Sequence, residues 1–178
     1  NVETYRIEGF GKSDSCPPDL ARAQAASDKP QRKISTKWHP LWKQEAQRAE
    51  PKRITTTVFN GQTDPIKNDG AQVICAPDAP SLPDGGKIAV VCRRYEQSTD
   101  DDTGNLGFAA PVKETRVWNY TYNQYGQVLT ETDPRGKPTT YEYWVDTSFT
   151  GERGHWMGDL KKVTNALNQA TNHLEYNK

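Results

Sequence analysis

RVWNYTYNQYGQVLTETDPRGKPTTYEY, residues Arg116 to Tyr143, decides the fold class. Trp118, Tyr120 and Tyr122 alternate with Asn119, Thr121 and Asn123, the period-2 pattern of a strand with one aromatic and one polar face. Asn123-Gln-Tyr-Gly126 puts Asn first and Gly fourth, and Asp133-Pro134-Arg-Gly136 puts Asp first, Pro second and Gly fourth, the favoured positions of a type I turn. Between the turns Val128 to Thr132 is rich in β-branched residues, and after them Thr139, Thr140, Tyr141 and Tyr143 restore a strand composition. The unit reads strand, turn, strand, turn, strand.

A second copy occupies Gly158 to Asn177. Gly158 is followed seven residues on by Asn165, as Gly126 is followed by Asp133, and the copy closes on Glu175-Tyr176-Asn177. Asn165-Ala-Leu-Asn168 stands where Asp133-Pro134-Arg-Gly136 stood, with Asn replacing Gly at a position that often needs positive φ. A third trace is Arg53-Ile-Thr-Thr-Thr-Val-Phe-Asn60. Internal repetition is the main fact of the sequence.

The central motif, Tyr120-x-Tyr122-Asn123-x-x-Gly126-x-Val128 followed by Asp133-Pro134-x-Gly136-x-x-Thr139-x-Tyr141-x-Tyr143, resembles the tyrosine/aspartate (YD) repeat of the Rhs proteins. Trp38-His-Pro-Leu-Trp42 and Ala49-Glu-Pro-Lys-Arg-Ile-Thr-Thr-Thr57 are similar to segments found between such repeats. The likeness covers roughly residues 36 to 178. It departs at Asn123, where Asp is usual, and by one extra residue before Tyr176. The resemblance implies β-hairpins coiled side by side into a hollow shell that encloses a C-terminal toxic domain delivered to neighbouring bacterial cells. Neighbouring repeats and that toxin domain would be its partners, and a secreted or bacterial cell-surface protein its setting. The family's self-cleavage chemistry does not carry over, since Asp133-Pro134-Arg-Gly136 matches the ordinary repeat.

Three regions are expected: an irregular 1–35 with a short helix, a hairpin region 36–112 with an enlarged Cys75/Cys92 loop, and repeat hairpins over 113–178. Only 33% of the 178 residues are hydrophobic, so the 5 Trp, 8 Tyr and 4 Phe must supply much of any core. With 23 basic and 23 acidic residues no net field points to nucleic acid. No apolar run approaches the roughly 20 residues of a membrane helix, so no membrane insertion is expected. The opening Asn-Val-Glu lacks a start Met and a signal peptide, which is the look of an excised internal segment.

Taken in order, Val2, Tyr5 and Ile7 suggest a strand. Leu20 to Ala26 is a run of helix formers with Asp19 as N-cap. Leu41 to Ala49 has helix-forming composition inside a segment that the resemblance makes extended; an extended chain or a single turn is expected. Lys52 to Asn60 returns to strand and Asn60-Gly61 marks a turn. Val73-Ile-Cys75 and Ile88 to Cys92 read as short apolar strands of an enlarged hairpin. Cys75 and Cys92 are either a disulfide, as an exported protein would have, or two reduced buried thiols; Cys16 is left over. Asp100, Asp101 and Asp102 with Gly104 and Asn105 lack the EF-hand spacing, so a solvated turn is favoured over a calcium loop. Asp146 to Met157 is a second soft insertion.

Catalytic signals are sparse. Gly11-Lys12-Ser13 ends like a phosphate-binding loop, but the earlier glycine falls on Arg6. No G-x-S-x-G, H-E-x-x-H or paired C-x-x-C occurs. His39, His155 and His173 are scattered, and Glu114, Glu131, Asp133 and Glu142 read as solvated or turn-capping carboxylates rather than a glycosidase pair. Asn119-Tyr-Thr121 is a sequon inside a strand. Two function classes follow: a non-enzymatic scaffold segment without cofactor or metal, or a cell-surface carbohydrate- or protein-binding β-module. In the second, Trp38, Trp42, Trp144 and Trp156 would stack on ligand rather than fill layers between hairpins. The expectation is an all-β fold of antiparallel hairpins of YD-repeat type, with loop-rich insertions and one or two short helices.

Overall fold

The computed structural model describes residues 4–9 and 31–177. Its strands are β1 (Tyr5–Gly9), β2 (Gln31–Trp38), β3 (Glu45–Glu50), β4 (Arg53–Phe59), β5 (Val91–Thr99), β6 (Val112–Tyr122), β7 (Val128–Thr132), β8 (Pro138–Tyr143), β9 (Ser148–Thr150), β10 (Arg153–His155), β11 (Leu160–Thr164), β12 (Ala170–Asn172) and β13 (Tyr176–Asn177). Ten form one sheet in the order β1-β2-β3-β4-β5-β6-β7-β8-β11-β12, and β13-β10-β9 form a small second sheet. The fold is all-β and antiparallel, with strands that follow one another in sequence lying side by side through β8. Among the described residues the helical content is a single 3-10 turn at Gly107–Ala109. The helix expected at Leu20 to Ala26, Cys16 and the Gly11-Lys12-Ser13 segment lie outside the described residues.

The chain packs as two compact units, Asn1–Thr57 with Tyr95–Arg116, and Val58–Arg94 with Val117–Lys178. This division differs from the one expected at residues 35 and 112. Residue 35 lies within β2, whose Ser35 faces Tyr5 of β1 and Ala49 of β3, so strand pairing ties the segments on either side together.

In the first unit the core is small: Ala49, Ile54 and Ala110 are buried, with Phe108 packed on them. Alternation along β4 places Ile54 and Thr56 inward. Leu41 to Ala49 forms a turn at Pro40–Trp42 and then β3, because pairing with β2 on one side and β4 on the other outweighs the weak helix preference of Glu, Ala, Gln and Arg. The acidic loop is a turn with Asp100, Asp102, Thr103 and Asn105 exposed, as expected, but Asp101 is turned inward. Asp101 is 7% exposed, and its carboxylate accepts from the backbone N–H groups of Thr103 (3.2 Å), Gly104 (2.8 Å) and Leu106 (2.8 Å). Burial raises its pKa, yet these bonds together hold it below the usual carboxylate value. Backbone bonds from Lys33 N–H to the Thr103 carbonyl (2.7 Å) and from Lys52 N–H to the Asp101 carbonyl (2.7 Å) seat the loop on its neighbours.

The second unit is built around the bonded pair Cys75–Cys92, whose Cα atoms are 5.4 Å apart. Both cysteines are buried with Ala76, Ala79 and Tyr122, and Val73, Ile88, Val90, Tyr120 and Val128 pack against them. The apolar runs expected as paired strands are mostly loop: β5 begins only at Val91, and Thr63 to Gln72 is an isolated bridge. Their backbone is satisfied otherwise. Cys75 N–H donates to Asn60 Oδ1 (3.1 Å), its carbonyl accepts from Tyr122 N–H (2.8 Å), and Asn60 and Gly61 donate to Val90 (2.9 Å) and Val73 (2.8 Å). With these partners no ladder is needed. Asn60-Gly61 does turn the chain, through Gln62 N–H to the Phe59 carbonyl at 3.0 Å. The insertion Asp146 to Met157 contains the β9–β10 hairpin, and Tyr176–Asn177 joins that small sheet instead of extending β12. Among this unit's aromatics Phe59 and Tyr122 are buried, and alanine and the disulfide fill much of the rest.

Gly104 and Gly136 both hold left-handed φ, +76° and +75°, but a Cβ at Gly104 would lie 2.1 Å from the Lys33 carbonyl oxygen whereas one at Gly136 meets nothing. Gly136→Ala is expected to cost about 1 kcal/mol from the backbone alone, and Gly104→Ala more than about 3 kcal/mol, measured as urea-unfolding free energies. Reducing the Cys75–Cys92 bond, which closes a loop of sequence separation 17, should lower stability by about 3 kcal/mol in the same assay.

Candidate functional site

Three turns of the second unit share one construction. At Asn123-Gln-Tyr-Gly126-Gln127 the fourth residue donates to the first carbonyl (3.1 Å) and the first residue's N–H donates to the fifth carbonyl (3.0 Å). The corresponding distances are 2.9 and 3.0 Å at Asp133 to Lys137, and 2.9 and 2.9 Å at Asn165 to Gln169. In each, Oδ1 of the first residue accepts from the third and fifth N–H groups, at 2.9 and 3.0 Å for Asn123, 2.9 and 2.8 Å for Asp133, and 2.9 and 3.0 Å for Asn165. The fourth residue is left-handed every time: Gly126 at +78°, Gly136 at +75° and Asn168 at +60°. A short side chain carrying an acceptor one methylene from the backbone is what this geometry requires. Pro134 occupies the second position, where its missing N–H loses nothing.

Three tyrosines also tie strands of this unit together. Tyr122, Tyr143 and Tyr176 hydroxyls donate to the carbonyls of Val91 (2.7 Å), Val128 (2.9 Å) and Leu160 (2.5 Å), the first residues of β5, β7 and β11. Burial pushes Tyr122 up to about 12, with Tyr120 and Glu131 adding to the shift. Burial likewise raises Tyr143, with Tyr141 adding to it, and Tyr176, with Asp159 adding to it. Tyr120 donates to Glu131 across the β6–β7 pair at 3.4 Å, and Trp118 and Tyr141 are half-buried on their strands. Gly158, at φ +96°, serves a different turn, Trp156 to Asp159, and Gln127 Nε2 reaches its carbonyl at 2.7 Å. Asn177 enters through backbone pairing with Arg153.

The four tryptophans proposed as binding platforms fall in different settings. In the first unit Trp38 is half-buried, and the Trp42 ring lies flat on His39 with centroids 4.1 Å apart. In the second, Trp144 is covered by His155 at 3.8 Å and approached by Lys161 Nζ at 4.5 Å, and its Nε1 faces the His173 carbonyl at 3.4 Å. Trp156 is 52% exposed and tilted against Phe149. His155 is a buried histidine that sequence reasoning left unplaced; its Nε2 approaches Asp146 at 3.4 Å without a well-directed hydrogen bond.

The remaining candidate groups are held in structural contacts. Glu131 meets Tyr120, Asp133 caps its own turn, Glu142 pairs with Lys162 at 3.0 Å, and Glu114 borders a polar cleft of about 180 Å³ with Lys52, Arg53, Glu96, Gln97, Ser98 and Arg116. Among the described residues no group of three or more His, Cys, Asp or Glu side chains is placed to hold a metal ion. Sequence reading passed over the buried Asp64–Arg93 pair; the Asp64-Pro65 dipeptide, a turn initiator, was its local signal. No family model matches the chain, and no curated protein matches it.

Removing one tyrosine hydroxyl bond should cost about 1 kcal/mol. Tyr143→Phe and Tyr176→Phe are therefore expected to lower the urea midpoint, while Tyr125→Phe, at a ring 65% exposed, leaves it unchanged. Tyr122 keeps its proton in the folded state to about 12 and loses it near 10 when unfolded. The unfolded chain then binds fewer protons, so stability should fall as pH rises above 10, and Tyr122→Phe should flatten that decline in alkaline unfolding curves.

Proposed function

We propose that this chain is a scaffold segment of a larger hairpin-repeat protein of the Rhs/YD kind. Its sheet would be part of the wall of a shell that encloses or presents a C-terminal toxin in competition between bacteria. The observation that carries this reading is the threefold recurrence of one turn geometry and one tyrosine tie in a single unit. Such regularity serves stacking: each hairpin's open edge is a template for the next. At β12, the last strand of the sheet order, Ala170–Asn172 are all exposed. The partners would be the neighbouring repeats and the toxin domain. The disulfide supports export, to the medium or the bacterial surface, because such bonds persist in oxidising compartments.

A carbohydrate- or protein-binding module is the weaker alternative, since histidines already cover the faces of Trp42 and Trp144. The scaffold reading expects the parent reading frame to carry further Asn/Asp-x-x-Gly turns on both sides of this segment and a divergent domain beyond them. Flanks without such turns would overturn it. The isolated segment should self-associate through its free edge in sedimentation velocity, and Thr171→Lys on β12 should weaken that association.

A further inference from the structure

Two reversals of this chain share a backbone and differ in the atom that holds them. One is His39-Pro40-Leu41-Trp42-Lys43 in the first unit, the other Asp64-Pro65-Ile66-Lys67-Asn68 in the second. The fifth N–H donates to the first carbonyl in both, at 3.1 and 2.9 Å, and the fifth residue is left-handed in both, at φ 54° and 50°. Proline supplies a preset φ at the second position. The two N–H groups that follow it converge on one side-chain atom. Leu41 and Trp42 donate to His39 Nδ1, each at 3.2 Å, and Ile66 and Lys67 donate to Asp64 Oδ1 at 2.9 and 3.1 Å. Both holding side chains are buried, His39 at 4% and Asp64 at 2% exposure.

Their chemistry separates them. A carboxylate oxygen goes on accepting well below neutral pH, and the Arg93 guanidinium also bonds Asp64. An imidazole nitrogen accepts only while unprotonated. A proton on His39 Nδ1 turns the acceptor into a donor facing two donors, so both bonds are lost and a cation is left in a buried site.

We infer that the reversal joining β2 to β3 is an acid-released switch: protonation of His39 at Nδ1 opens the turn and frees the Trp42 ring stacked on it. Burial, and then the Lys43 charge, hold the imidazole below its ordinary value, so the turn is closed at neutral pH. Lys43 is kept beside it by donation to the Pro40 carbonyl at 2.8 Å. Of the other charged groups on the paired strands, Lys37 lies over Phe108 at 4.4 Å and Glu45 is engaged by Arg48 at 3.5 Å. The open chain takes up its proton near the ordinary imidazole value of about 6.5. The closed turn is therefore fully favoured above that pH and gives way as pH falls below it.

The test is two-dimensional NMR of the whole chain between pH 8 and pH 5, following the Leu41 and Trp42 amides and the His39 ring. Amide exchange corrected for its intrinsic pH dependence should rise at least about tenfold at Leu41 and Trp42 on acidification, while Ile66 and Lys67 stay protected. His39→Asp, which borrows the holding atom of the other turn, should keep Leu41 and Trp42 protected throughout. Unchanged protection in the wild type, a His39 midpoint at or above the ordinary value, or the same acid opening in His39→Asp would overturn the switch. Should His39→Asp fail to fold, the wild-type amides and ring midpoint decide the matter.

Discussion

A reversal between short strands strips several backbone N–H groups of a ladder partner, and at six turns among the described residues a side-chain acceptor satisfies them. Asn123, Asp133 and Asn165 each gather two N–H groups on one oxygen, Asp101 gathers three across its carboxylate, and Asp64 and His39 do the same ahead of a proline. The acceptor sits on the residue that starts the turn, so it forms with little loss of chain entropy and fixes where each strand ends. Strand register follows from there, and the tyrosine ties follow from the register.

A chain with a third of its residues hydrophobic has little apolar area to spend on holding long loops, and the second unit meets this differently from the first. The stretch between β4 and β5 has almost no ladder and is pinned instead by the disulfide, by Asp64 on Arg93 and by Asn60 on the Cys75 backbone. Polar groups do inside this unit what aliphatic packing does in richer cores, provided they are paired. At Asn60 Nδ2 and His155 Nε2, both buried without a hydrogen-bond partner, that compensation is incomplete.

What was legible in the sequence is what short-range chemistry determines. The turns at Asn123, Asp133 and Asn165 could be read because position, side-chain length and φ requirement lie within five residues. Asp101-Asp-Thr-Gly104 carried the same signature within a loop whose other carboxylates are solvated; the burial of Asp101 goes with the backbone bonds to Lys33 and Lys52, which no local pattern reveals. Val73 to Cys75 has strand composition yet bonds to Asn60, Gly61 and Tyr122, partners set by the closed disulfide loop rather than by periodicity. The stacking of His155 on Trp144 joins residues from separate segments and was likewise invisible. The position of His39 before Pro40 was a local clue to the turn it holds.

The tyrosine ties span 15, 16 and 31 residues of sequence, and each ends on the first residue of a strand, β7, β11 or β5. A hydroxyl that bonds a neighbouring strand's carbonyl is indifferent to the chain running between them. The hairpin is thus an elastic module: its base is fixed in length, and the far end is free to grow. Longer excursions, such as the one carrying Asp101, can be added there without disturbing the tie.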